Sequence, residues 1–131
     1  MTLYEILEEA QNLKAQLSLT LNSPTAVKLQ IKKINMVQKQ LRVLKKELNA
    51  TIRIINQDAT QTGADSLISV GLDVFGKHKW AGRVRAETRR AIDREKRSAR
   101  QPYMEARELI DAIILEGEQL KLRAEEFLLR N

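Results

Sequence analysis

Val27, Ile34, Leu41, Leu48 and Ile55 recur at strict intervals of seven, and no glycine or proline interrupts the run after Pro24. An apolar repeat of seven keeps one stripe of an α-helix facing a neighbour along its whole length. A β-strand, whose side chains alternate every two residues, cannot use such a pattern. Ile31, Val37, Leu44, Ile52 and Ala59 fill the adjoining positions. The spacing predicts one long, coiled-coil-like helix over about residues 24–60. A second stripe runs along it, Leu29, Met36, Val43 and Ala50, again in sevens and about 160° around the helix from the first. One stripe asks for one partner face; two ask for partners on both sides.

The flanking segments follow the same logic. Thr2 with Glu5 three residues later reads as a capping box for a first helix over about 2–21, with Leu3, Ile6, Ala10, Leu13, Leu17 and Thr20 on one face and Leu7 and Leu21 widening it. Ser23 is a natural N-cap for the long helix, and Pro24 occupies the first helical position, where a missing N–H costs nothing. A glycine-containing connector is expected over 61–78, where Gly63, Gly71 and Gly76 fall. A third helix is expected over 79–101 and a fourth over 102–130. Pro102 marks either a break between them or a kink in one helix. Tyr103, Ala106, Ile110, Ile113, Leu120, Ala124 and Phe127 share one face of the fourth, and Leu115, Leu122 and Leu129 form another stripe in sevens.

Composition agrees with this reading. Aromatic residues make up 4% of the 131-residue chain and prolines number two, whereas Leu, Ile, Ala, Glu, Lys, Arg and Gln dominate, and these favour helices. The expected fold is all-α: one domain, an elongated antiparallel bundle of three or four helices. Helices of such unequal length cannot cover one another evenly. The far end of the long helix is therefore expected to overhang the first, leaving Leu48, Ile52 or Ile55 to a second copy.

The absence of cysteine excludes disulfides and thiolate metal sites. No window reaches the roughly 18 consecutive apolar residues of a membrane span, and the acidic, amphipathic start is unlike a signal peptide. A cytoplasmic protein is expected. Gly71 to His78 falls one residue short of a phosphate-binding loop, with His78 where a hydroxyl should hold magnesium and no strand before it. It reads as a turn. His78 is the sole histidine, and no nucleophile or orienting carboxylate converges on it. Neither catalysis, nor a cofactor, nor a metal is expected.

Charge is the remaining signal. Residues 1–23 carry one basic and three acidic groups and residues 102–131 four and seven, whereas residues 24–60 carry eight and two and residues 61–101 ten and five. The expected third helix concentrates Arg83, Arg85, Arg89, Arg90, Arg94, Arg97 and Arg100, with Lys77, Lys79 and Trp80 near its start. On a helical projection Ala81, Val84, Thr88, Ala91, Ile92 and Ala99 form its apolar arc and the basic residues, Lys96 among them, spread over the rest. Such a face suits a phosphate backbone. Glu87 and Asp93 lie within intrahelical reach of several arginines, and the acidic first and fourth helices offer further partners. Lys28, Lys32, Lys39, Arg42, Lys46 and Arg53 line the outer side of the long helix as an ordinary solvated face.

Two functional classes follow. The first is a non-catalytic interaction or scaffold protein that self-associates, as a dimer in the simplest case, or binds a partner helix, through Leu29, Met36 and Val43 with Leu115, Leu122 and Leu129. The alternative is a nucleic-acid-binding protein using residues 83–100.

Overall fold

The computed structural model describes residues 1–58 and 78–131, with side chains described for 1–57 and 88–131. The described chain is all-α, with three helices: α1 (Leu3–Ala15), α2 (Pro24–Asp58) and α3 (His78–Arg130). No strand occurs among the described residues. The connector expected over 61–78 falls outside them, apart from His78 at the start of α3.

One helix boundary differs from expectation. The first helix stops at Ala15 rather than near Leu21. Thr2 caps its start as expected, its hydroxyl accepting from the Glu5 N–H at 3.1 Å. Beyond its end the Gln30 side chain accepts from the Thr20 N–H at 2.6 Å, replacing the bond a helix running to Leu21 would have given that N–H, and donates to the Thr20 carbonyl at 2.9 Å. At α2 the expected cap is present: the Ser23 hydroxyl accepts from the Ala26 N–H at 3.3 Å, with Pro24 first in the helix.

The expected third and fourth helices are one helix of 53 residues with Pro102 inside it. Proline has no N–H to give the Ser98 carbonyl and crowds the preceding turn. Side chains are buried on either side of it, Thr88 and Ile92 before and Ala106 and Ile110 after.

The chain divides into two compact units: Met1–Leu48 with Glu105–Asn131, and Asn49–Met104. In the first, Ile6, Ala10 and Leu13 of α1, Val27, Ile34, Val37, Leu41, Leu44 and Leu48 of α2, and Ala106, Ile110, Ile113 and Ala124 of α3 are buried. The main seven-residue seam of α2 is thus core. α2 and α3 run antiparallel here: Lys45 pairs with Asp111 at 2.7 Å, Gln38 meets Glu118 at 3.0 Å, and Lys121 donates to Asn35 at 3.0 Å. In the second unit Thr88 and Ile92 are buried, Ile52 and Ile55 are half-buried, and Arg100 bonds Asn56. The expected overhang of α2 is therefore corrected. Leu48 is fully buried, and beyond it α2 meets α3 of its own chain, because α3 runs on past Pro102 instead of ending there.

Candidate functional site

Within the Asn49–Met104 unit, the side of α3 that packs inward is set by Thr88 and Ile92, one helical turn apart. Arg89, Arg90, Arg94 and Arg97 are exposed. Arg90, Asp93, Arg94 and Arg97 stand at i, i+3, i+4 and i+7, which is one helix face, and line an open groove of about 420 Å³. Arg94 Nε donates to the Arg90 carbonyl at 3.4 Å, a bond to its own helix. Among the described residues no carboxylate forms an ion pair with Arg89, Arg90, Arg94 or Arg97. The expected pairing with Asp93 is not made.

Arg100 departs from expectation. Its Nη1 donates to Asn56 Oδ1 of α2 at 3.2 Å and its Nε is buried without a partner. It belongs to the packing of the unit and not to the open basic face. Lys96 is likewise half-buried, whereas Ala91 and Ala99, expected on the apolar arc, are exposed. The projection placed the arc's centre too far round, because long side chains such as Lys96 and Arg100 can bury their stems while an alanine has little to bury. Lys77 lies outside the described residues, as do the side chains of Lys79, Arg83, Arg85 and Glu87.

In the other unit the second stripes are exposed: Leu29 63%, Met36 62%, Val43 56%, Leu115 58%, Leu122 59% and Leu129 89%. They do not form one seam within a single copy. On α2 the stripe lies about 170° around from Gln38 and Lys45, which touch α3. On α3 the leucines lie only about 60° from the residues that touch α2. The body of α2 stands between the two stripes. At Val43 the α2 stripe opens into an apolar groove of about 250 Å³ against α1, lined by Met1, Leu13 and Leu44 with Glu9, Gln40 and Glu47 at its margin.

One feature escaped the sequence reading. Gln38 is 1% exposed in the core of this unit; its amide donates to the Ile114 carbonyl at 2.9 Å and to Glu118 Oε1 at 3.0 Å. The amide lies against α3 where a glycine, Gly117, leaves room: a Cβ there would come within 2.7 Å of Gln38 Nε2. The signals were present as a polar residue beside Val37 on the core side of α2 and a glycine inside an otherwise helical run. Neither names its partner. Glu118 also accepts from Lys121 at 3.0 Å, and this bond, then that from Gln38, holds its carboxyl below the ordinary value of 4.5.

Among the described residues no three His, Asp or Glu side chains converge as metal ligands, and no helix is long and apolar enough to cross a membrane. No protein family, curated protein or solved structure matches the chain.

Proposed function

We propose that this is a non-catalytic helical interaction protein that assembles with itself, the outer stripe of α2 in one copy seating on the outer stripe of α3 in another. The carrying observation is the exposure of six large apolar side chains at seven-residue spacing on helices whose other stripes already form the core. Fully burying one such side chain is worth about 1.5–3 kcal/mol, and both stripes have the same repeat, so knobs of one helix can enter holes of the other.

Charge favours this pairing over like with like. Lys32, Lys33 and Lys39 flank the α2 stripe, and Glu47 is the only acidic residue among residues 24–48. Glu108, Glu125 and Glu126 flank the α3 leucines. Two α2 stripes face to face would set lysines against lysines; α2 against α3 of another copy sets lysines against carboxylates. The contact is heterologous, joining different surfaces of the two copies.

The test is mass against concentration, by sedimentation or light scattering, over about 1–100 µM, a range set by the affinities such interfaces reach. The parent chain is expected to gain mass with concentration. Met36→Glu with Val43→Glu should hold it at the monomer mass with helicity unchanged. Lys32→Glu with Lys39→Glu should weaken assembly, and adding Glu108→Lys with Glu126→Lys should restore it. A parent chain that stays monomeric throughout removes the proposal.

A further inference from the structure

The arginine face of the second unit takes no part in this assembly, and we propose that it seats the phosphate backbone of a nucleic-acid duplex, without regard to base sequence. Three observations carry the inference.

The first is that the guanidinium groups are presented, not spent. Thr88 and Ile92 fix the inward side of α3, and Arg100 is tied to Asn56, so this stretch of helix is anchored. Arg90, Arg94 and Arg97 remain on the outward side along one groove, with no ion pair among the described residues. Arg94 bonds its own helix through Nε, which leaves its two terminal nitrogens for a ligand. Guanidinium groups match phosphate oxygens with paired, parallel N–H bonds.

The second is where the fold puts the acids. The unit Met1–Leu48 with Glu105–Asn131 holds 12 basic and 11 acidic residues, and the unit Asn49–Met104 holds 11 and 6. In the unit that holds α1 and the C-terminal half of α3, Lys45 of α2 pairs with Asp111. Five of the six net positive charges therefore belong to the second unit.

The third is spacing. Arg90, Arg94 and Arg97 step along the helix axis by about 6 Å and then about 4.5 Å. That ladder of roughly 10 Å spans about three nucleotide steps of one strand at about 3.4 Å per step along the duplex axis, room for three phosphate contacts. The helix fixes the backbone of this row, so binding a duplex orders only the arginine side chains, whereas an acidic peptide would itself have to be ordered as well. A lipid surface fits less well. Among the described residues of this stretch Ile92 is buried, and the exposed apolar residues are Ala91 and Ala99, too small to hold a helix in a bilayer interface. Asp93, in the midst of the ladder, opposes a phosphate, and that gives the test an independent arm.

The probe is a labelled DNA duplex of mixed sequence, titrated with the full chain. Three phosphate contacts predict that affinity falls roughly 40-fold between about 50 and about 200 mM salt. Arg90→Gln, Arg94→Gln and Arg97→Gln together should weaken binding about tenfold or more at the lower salt and flatten the salt slope by about 3, about 1 per contact. Asp93→Asn should tighten it. All four positions are exposed, so helicity by circular dichroism should be unchanged, and mass against concentration should match the parent, which separates this result from the assembly proposed above. Equal duplex affinity in parent and triple variant overturns the inference. So does an affinity insensitive to salt, an Asp93→Asn variant that binds more weakly, or capture by phosphatidylserine vesicles without capture by the duplex.

Discussion

Gln38 and Gly117 show how much a single contact depends on both partners. A side-chain amide in a core is costly unless its hydrogen bonds are made, and Gln38 makes its bonds only because residue 117 has no side chain to keep it away from the α3 backbone. Alanine at 117 gains up to about 1 kcal/mol in helix propensity. It also displaces a buried amide from its partners at a cost of about 1–3 kcal/mol. Gly117→Ala is therefore expected to destabilise the chain in a urea titration, and to become stabilising once Gln38→Ala has cleared the site. That reversal of sign distinguishes a steric pairing from a simple propensity effect. Glu118 adds a pH dependence. Its carboxyl, held down by Lys121 and Gln38, contributes stability that is present above the unfolded-state value and is lost as pH falls through the lowered folded-state value. Thermal melts across the acid range should show this loss, and Glu118→Gln should flatten it.

At the scale of elements, the main seam of α2 was legible because it repeats: Val27, Ile34, Leu41 and Leu48 stand in the core as their spacing requires. The end of α1 was not: the helix stops at Ala15, and the backbone at Thr20 bonds Gln30 of another helix. For α3 the sequence left one helix or two open, because proline at a helix start and proline inside a helix look alike; the structure has one helix through Pro102. Pro102 is exposed, so replacing it costs no core contact. Pro102→Ala restores one N–H and removes a steric conflict, and should raise stability by about 1–3 kcal/mol, read as an upward shift of the thermal midpoint. A fall would mean that α3 needs the interruption at this point.

For the whole molecule, the local alphabet settled a great deal. Sevens of leucine, isoleucine and valine dictated helices, chose the buried face of α2, and marked further stripes that the core has left exposed, because helical periodicity is a property of consecutive residues. The arginine cluster was equally plain, but its availability was not. Whether a guanidinium is spent or presented depends on which carboxylates and amides the fold brings to it. Arg100 found Asn56 across a gap of 44 positions, whereas Arg90, Arg94 and Arg97 found no carboxylate among the described residues. The two apolar stripes, similar in sequence, came to lie on different sides of α2 for the same reason. Periodicity is written along the chain, but proximity between distant residues is created only when helices pack, and it is proximity that decides which charges cancel and which surfaces remain to meet another molecule.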